Sequence, residues 1–312
     1  MTILLLGGNG FIGSHLAEAL RARGDRVVVL DARAPRADVD WSGIDYRQAD
    51  PFAPSVLDEV LADGDVVVHA ASVTTPASAN ADPVRDAEVN LGGALRLFEA
   101  MRRRRRTRIV YLSSGGTVYG NPAHLPVAES HPLNPICSYG VTKVAVEHSL
   151  RIHADAGVLD PVIIRASNPY GERQAASRSQ GFIGIAMARL LAGMPLQVWG
   201  DGSHVRDFLH VDDLVRLLVQ AVHGDARGTY NAGGGRGYRL DEVCALIEQA
   251  AGARLQIEHQ PARRFDVHDI VLDIRAARDD FGWEPRIPLD VGLQRTWQAL
   301  SRGHTPSPGP TS

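Results

Sequence analysis

Short strand-like runs alternate with helix-like stretches through the first half of the chain. The runs are Ile3 to Leu6, Val27 to Leu30, Ile44 to Gln48, Val66 to His69, Arg108 to Leu112 and Val162 to Arg165. Between them, Ser55 to Leu61, Pro83 to Met101 and Ser138 to His153 carry apolar residues at helical spacing. That alternation predicts an α/β fold, a doubly wound parallel sheet with helices on both faces. The second half is less regular. A loop-rich stretch from Asn168 to Gln180 precedes a predicted helix, Phe182 to Leu191, and a turn at Trp199-Gly200-Asp201-Gly202. Thr229-Tyr230-Asn231 reads as a late strand returning to the sheet, broken by Gly233-Gly234-Gly235. The expected division is a main domain of residues 1–165, rejoined by 203–240, and a smaller lobe of 166–202 and 241–300. Residues 301–312 have the composition of a disordered tail. No internal repeat is visible.

The first βα junction is the most informative stretch. The run Ile3 to Leu6 breaks at Gly7, and Gly10 and Gly13 follow before a helix-forming stretch begins with Phe11 and Ile12. Gly7 permits a sharp turn and Gly10 leaves room for a diphosphate to approach the backbone. Gly13 lets the helix pack on the strand, its amide N–H groups and positive dipole end toward the phosphates. The second run ends in Asp31, placed to accept from both ribose hydroxyls of an adenosine. Strand, glycines, helix, strand and acid in that order predict a dinucleotide site. With Asp31 excluding a 2′-phosphate, and Arg33 close enough to soften that exclusion, the expected cofactor is NAD.

Composition narrows the partners. The 312 residues are 44% hydrophobic, enough for a substantial core, and the net charge of −3 gives no case for nucleic acid. The basic run Arg102 to Arg106 closes a predicted helix, where positive charge complements the macrodipole and faces water. Two cysteines, Cys137 and Cys244, form no disulfide framework and suit a reducing compartment. The apolar N-terminal run is too short for a signal peptide, and no stretch approaches the ~20 apolar residues of a membrane span. A soluble, cytoplasmic protein is expected. The twelve histidines show no ligand cluster: His148 and His153 diverge on a helix, His69 follows a strand, and no metal is expected.

Tyr139 and Lys143 stand four apart in SYGVTK, on one face of a predicted helix. A phenol titrates near ~10, and an adjacent ammonium favours the phenolate, which predicts a usable base near neutrality. A Ser-Ser-Gly-Gly turn after Leu112 precedes the pair and places both at the carboxyl edge of the sheet, where ligands bind in such folds.

From Thr2 to Trp297 the chain resembles the extended short-chain dehydrogenase/reductases, within the UDP-glucose 4-epimerase-like family of nucleotide-sugar epimerases and dehydratases. The motifs are GGNGFIG, VVVHAAS, NLGG from Asn90, YLSSGGTVYG, YGVTK, RASNPYG, GDGSHVRDFLHVDD, YNAGGG and RRFD from Arg263. The resemblance implies that Asp50, with Pro51, approaches the adenine and that Ala70 and Ala71 line the cofactor. It implies that Asn90 orients helix and cofactor, and that Ser113 lies beneath the nicotinamide. Tyr139 would be the base, and Lys143 would hold the nicotinamide ribose while depressing the tyrosine. Arg206 and Arg263 match arginines that bind the substrate diphosphate, and Asn168 a further contact to it. Asp266 matches an acid that holds a ribose or Arg263, while Gln197 and Trp199 lie where the base binds.

The resemblance further implies epimerisation at C4 through a transient 4-keto sugar, with a UDP-sugar favoured. It also implies a homodimer built on the helices Pro83 to Met101 and Ser138 to His153, which carry Leu91, Leu95, Val141 and Val144. One departure stands out. Gly115 occupies the place of a catalytic Ser or Thr, leaving Ser114, Thr117 or a water to supply the hydroxyl, or Tyr139 to act alone. Gly116 and Thr117 replace the acidic pair of the dehydratases, and decarboxylases carry a Glu at the Thr117 position, which disfavours elimination and decarboxylation. The alternatives are a 4-ketoreductase of deoxysugar synthesis and a non-catalytic NAD-binding regulator on the same fold.

Overall fold

The structure, a computed structural model, describes residues 1–61, 66–105, 107–174, 181–263 and 265–302. Its centre is a parallel sheet of β1 (Thr2–Leu6), β2 (Arg26–Asp31), β3 (Asp45–Gln48), β4 (Val66–His69), β5 (Arg108–Ser114), β6 (Asp160–Ala166) and the later β10 (Gly228–Ala232). The order across it is β10-β6-β5-β4-β1-β2-β3, so the expected doubly wound fold is present. Side chains alternate across a strand, and Ile3 and Leu5 enter one layer while Leu4 and Leu6 enter the other. On the first face, α1 (Phe11–Ala22) and α8 (Val211–His223) bury Leu16, Leu20, Leu214 and Leu218. On the second, α2 (Pro54–Val60), α5 (Gly92–Arg104) and α6 (Ser138–Asp155) bury Leu57, Leu97, Phe98 and Leu150. Each such side chain stabilises the fold by about 1.5–3 kcal/mol. Burial on both faces is why the inner strands β1, β2 and β4 read as solid apolar runs.

The smaller lobe gathers α7 (Phe182–Leu191), α9 (Leu240–Ala251) and α11 (Leu289–Arg302) around Ile183, Met187, Val243, Ile247 and Leu293. Two small sheets serve it. One pairs β8 (Leu196–Trp199) with β12 (Ile257–Gln260), and the other orders β11 (Gly237–Arg239), β9 (Val205–His210) and β7 (Asn168–Tyr170). Helix α10 (Arg275–Phe281) packs on β10 and α8, and its Ala277 lies in the first-face core, so this part of the expected smaller lobe belongs with the main sheet.

Two stretches differ from the sequence pattern. The helix expected over Pro83 to Met101 is interrupted: α4 (Pro83–Asp86) follows α3 (Pro76–Ala81) and passes through a π-helical turn at Ala87–Leu91 before α5 begins. Asn90 in that turn donates to Asp86 Oδ1 (2.8 Å) and accepts from the Val73 amide (3.1 Å), polar bonds that the apolar period does not encode. The loop expected from Asn168 opens instead with β7, which pairs in parallel with β9, and residues 175–180 lie outside the described residues. The tail expected from Ser301 begins as the last residues of α11, and 303–312 also lie outside them. Arg102 and Arg103 pair with Glu99 and Asp58 on the surface. Among the described residues no helix is long and apolar enough to cross a membrane.

Candidate active site

The strand order reverses at β1, with β2 on one side and β4 on the other, so a crevice opens at their carboxyl ends. Gly7 leaves β1 at φ +81°, and a Cβ there would lie 2.6 Å from Ala71 Cα, so only glycine lets the loop pass so close to the Ala70-Ala71 backbone. A Cβ at Gly13 would overlap the Gly7 carbonyl oxygen, while one at Gly10 would meet that oxygen alone, at 3.1 Å. Gly13 is thus closed by protein, and Gly10 faces open space. Helix α1 starts at Phe11-Ile12 with no side-chain cap and no acid in its first turn, leaving its amide donors for an anion.

At the end of β2, Asp31 is buried and accepts from the Asn9 amide (3.1 Å) and the Arg33 amide (3.0 Å). The Arg33 guanidinium folds back on the same carboxylate at 3.2 Å. Asn9, whose role the glycine spacing alone does not reveal, holds the loop beyond β2 through Ala34 O and the Arg36 amide. Asp50, next to buried Pro51, is exposed on an open groove with Phe52, Val89 and Gly92.

Across the crevice, α6 presents Tyr139 and Lys143, each 8% exposed. Lys143 Nζ donates to the Leu112 carbonyl at the end of β5 (2.9 Å) and lies 5.6 Å from the Tyr139 ring centroid. Burial brings the Lys143 ammonium down to about 8, opposed by Glu147 and Asp86. Tyr139 departs from expectation. Burial pushes its phenol up to about 12, against the lowering effect of its hydrogen bond to the Ser72 side chain. In the free protein, desolvation therefore outweighs the neighbouring ammonium, and the phenol is neutral at physiological pH. His69, also buried, is held neutral by burial and by Lys143, its pKa near about 3.

The end of β5 and the turn after it sort their hydroxyls. Ser113 is directed inward, donating to Glu147 Oε1 (2.6 Å), and the other oxygen of that carboxylate, Oε2, pairs with buried Arg165 (2.6 Å). Ser114 is partly exposed, and its carbonyl closes the turn onto the Thr117 and Val118 amides. Thr117 Oγ1 is buried without a partner. Its backbone abuts Gly140, where a Cβ would lie 2.7 Å from Thr117 O, so Thr117 sits beside the first turn of α6. The absence of a side chain at Gly115 has a packing cause. A Cβ there would lie 2.5 Å from Leu272 Cδ1 and 3.0 Å from the Arg165 carbonyl.

The other candidates come from separate elements. Asn168 donates to Asp207 O (2.9 Å) and faces Gly116 across the turn. The Arg263 guanidinium stacks 3.3 Å from the Trp199 ring centroid, and Gln197 is exposed on the same strand, β8. Arg206 is turned onto protein carbonyls, at Val205 (3.0 Å), His268 (2.8 Å) and Val267 (2.6 Å). Asp266 lies in the turn with Arg263, its amide bonded to the Arg263 carbonyl at 3.3 Å. Phe265, between them, packs on Ala79, Cys137 and Tyr139 and so joins this turn to the α6 site. One acid–histidine group escapes a reading of spacings. Glu172, His210 and Asp212 lie within 4.8 Å of one another. Arg295 already supplies their positive charge, 2.7 Å from Asp212 and 3.7 Å from Glu172, and His210 Nδ1 accepts from the Asp212 amide. The group works as an ion-pair network tying the loop after β7 to α8 and α11.

These features agree with the comparisons. The model of the NAD dependent epimerase/dehydratase family matches residues 3–233. A UDP-glucose 4-epimerase of Mycolicibacterium smegmatis is 36% identical over 306 residues, 95% of this chain and 97% of the relative. A putative UDP-glucose 4-epimerase of Methanocaldococcus jannaschii is 33% identical over 303 residues, covering 94% and 96%. The crystal structure of Thermus thermophilus UDP-glucose 4-epimerase in complex with NAD superposes with a TM-score of 0.92 at 32% identity, over 98% of this chain and all (100%) of that one. The chain therefore belongs to the NAD-dependent epimerase/dehydratase family of extended short-chain dehydrogenases/reductases.

Proposed function

We propose that this protein interconverts the C4 epimers of a nucleoside-diphosphate sugar, a UDP-sugar being favoured, with NAD as resident cofactor. The observation that carries the reading is the pair Tyr139 and Lys143, buried together on α6 at the mouth of the glycine-loop crevice. The cradle fits the cofactor: Gly7, Gly10 and Gly13 with the uncapped start of α1 at Phe11-Ile12 would hold its diphosphate. Asp31 would hold the adenosine ribose, and Asp50, Pro51, Ala70 and Ala71 would wall the adenine side. Asn90 would orient this wall. Ser113, its hydroxyl spent on Glu147, offers the nicotinamide side only its backbone.

When bound, NAD supplies a reversible hydride acceptor and a positive charge that favours the phenolate. Tyr139 takes the proton of the C4 hydroxyl and returns it to the epimeric alkoxide. Lys143, with one donor on Leu112 O, has two left for ribose hydroxyls and holds positive charge beside the phenol. Thr117 offers the reacting oxygen the hydroxyl that Gly115 cannot. Arg263 over Trp199, with Gln197, receives the base and diphosphate, supported by Arg206, Asn168 and Asp266. The two free, buried cysteines fit a reducing cytoplasm. Leu95 (39% exposed) and Val141 (54%) leave apolar surface on α5 and α6, which supports a homodimer through these helices, whereas Leu91 and Val144 turn partly into the cores. Light scattering at micromolar concentration should give twice the chain mass, and a monomer would remove the dimer from the reading.

The purified protein, incubated with UDP-, dTDP-, GDP- and CDP-sugars and followed by NMR, should form a C4 epimer without added NAD(H). A 4-ketoreductase would instead consume one reduced cofactor per turnover. No conversion of any sugar would leave a non-catalytic binding protein.

A further inference from the structure

The catalytic lysine has an unusual setting. Lys143 is the single lysine of the chain; its other cations are arginines. It is buried, and among the described residues its hydrogen bond is to a neutral carbonyl. Asp86, at the end of α4, is fully buried (0% exposed) and makes no ion pair among the described residues. It accepts hydrogen bonds from the Thr74 hydroxyl, from Asn90 Nδ2 (2.8 Å) and from the Thr142 hydroxyl (2.6 Å). The two opposite charges line one small cavity of about 10 Å³, together with His69, Asn90, Tyr111, Tyr139 and Thr142.

Two buried charges left unpaired are costly unless each compensates the other. The other groups around Lys143 are neutral or already paired with arginines. His69 and Tyr111 are neutral, and Tyr139 carries no charge in the free protein. Glu147, one turn along α6, also favours the ammonium, but its carboxylate is shared with Arg165 at 2.6 Å and Arg151 at 3.1 Å. Among the described residues lining the cavity, Asp86 is the carboxylate without a cationic partner. Asn90, one helical turn further on, bonds this carboxylate and so helps to fix it in place.

We infer that Asp86 is a positioning residue, a fixed counter-charge that keeps Lys143 an ammonium and sets the proton equilibrium of the Tyr139–Lys143 pair without touching substrate. The inference rests on the proposed roles of Tyr139 and Lys143 for its catalytic meaning, but not for its electrostatic content. Removing the charge favours the less positive form of Lys143 and the more negative form of Tyr139, so both groups titrate at lower pH.

The experiment uses the full-length protein labelled with ε-¹³C lysine, in which one side-chain resonance reports Lys143. In Asp86→Asn, with the circular dichroism spectrum unchanged, its titration should move toward acid by roughly one pH unit. In Asp86→Glu, which keeps the charge, it should stay at or above the wild-type value. An unmoved titration in Asp86→Asn, or a fall in Asp86→Glu, overturns the inference. The second variant decides the matter if the first does not fold. In a separate arm, the kcat/KM–pH profile of Asp86→Asn should shift as a whole toward acid, whereas a merely structural role lowers its height only. A lysine that moves under an unmoved profile leaves the counter-charge standing and refutes the catalytic role of the pair.

Discussion

The two halves of the crevice are built by different means. The cofactor half is made of backbone: strand ends, two glycines without room for side chains and a third facing open space, an uncapped helix start and one acid at the end of β2. The sugar-nucleotide half is made of side chains carried in from β7, β8, β9 and the turn at Arg263, and several are already engaged with the protein itself. Arg206 is bonded to three carbonyls, Arg263 is stacked on Trp199, and Asn168 is bonded to Asp207. A site made of backbone is fixed by the fold. One made of long side chains from separate elements is free to vary in what it binds. The first half should therefore be insensitive to changes that disable the second, and α6, between them, should respond most strongly.

The largest effect belongs to Tyr139→Phe. Removing a positioned proton-transfer group lowers rate by about 10²–10⁴-fold. Because the cofactor cradle lies on β1, β2 and β4, the variant should bind NAD as the wild type does, measured by calorimetry alongside kcat. Near-normal turnover would remove Tyr139 from the mechanism, and lost NAD binding would show that the halves are not separable.

Next comes the hydroxyl that Gly115 lacks. Thr117 Oγ1 is buried and without a partner, an arrangement worth about 1–3 kcal/mol when a ligand oxygen satisfies it. Thr117→Val keeps the shape, and kcat should fall by roughly tenfold or more on that scale. Ser114→Ala, removing a partly exposed hydroxyl, should change kcat little. The reverse ranking would transfer the role to Ser114, and no effect in either would leave Tyr139 acting alone.

The contrast between the halves also explains what the chain revealed before it was folded. The sheet was legible because Val27 to Leu30 and Val66 to Val68 are buried on both faces and so are apolar throughout. The glycine loop was legible because steric need fixes residue type. The interruption at Ala87–Leu91 was not, since Asp86 and Asn90 act there through hydrogen bonds while the apolar period runs on undisturbed. Ser72, Thr142 and Phe265 share that fate: each reaches the site by a long-range contact that no local pattern records. The state of Tyr139 was misjudged for the same reason. Spacing shows that Lys143 is near, whereas the burial that raises the phenol depends on the whole fold.

A smaller effect tests the variable half directly. Arg263→Ala removes a cation stacked on Trp199 in an accessible turn, an arrangement worth about 0.5–2 kcal/mol before any diphosphate contact is counted. Loss of one charge-assisted bond to phosphate adds a similar amount. KM for the nucleotide sugar should rise by roughly tenfold or more while NAD affinity holds, because the interaction is made equally in ground and transition states. A fall in kcat at constant KM would instead place Arg263 at the reacting sugar.

The smallest effect lies in the backbone-built half, at the one point where a long side chain enters it. Arg33 covers Asp31 at 3.2 Å, so the acid expected to select a free ribose diol is shielded by a cation that would welcome a 2′-phosphate. The guanidinium is about half exposed (46%), which keeps its attraction within the ~0–1 kcal/mol of surface ion pairs. Asp31, by contrast, is buried and fixed by the Asn9 amide, so its preference for the diol should dominate. The wild type should therefore bind NAD more tightly than NADP, and Arg33→Ala should widen that preference by a factor of about 2–5, the reach of a surface pair. Calorimetry with both cofactors reads the ratio. Tenfold tighter binding of NADP by the wild type would reverse the assignment of Asp31. A ratio unchanged in Arg33→Ala would mean that the arginine swings clear once the cofactor is bound, making this half as independent of its side chains as the comparison requires.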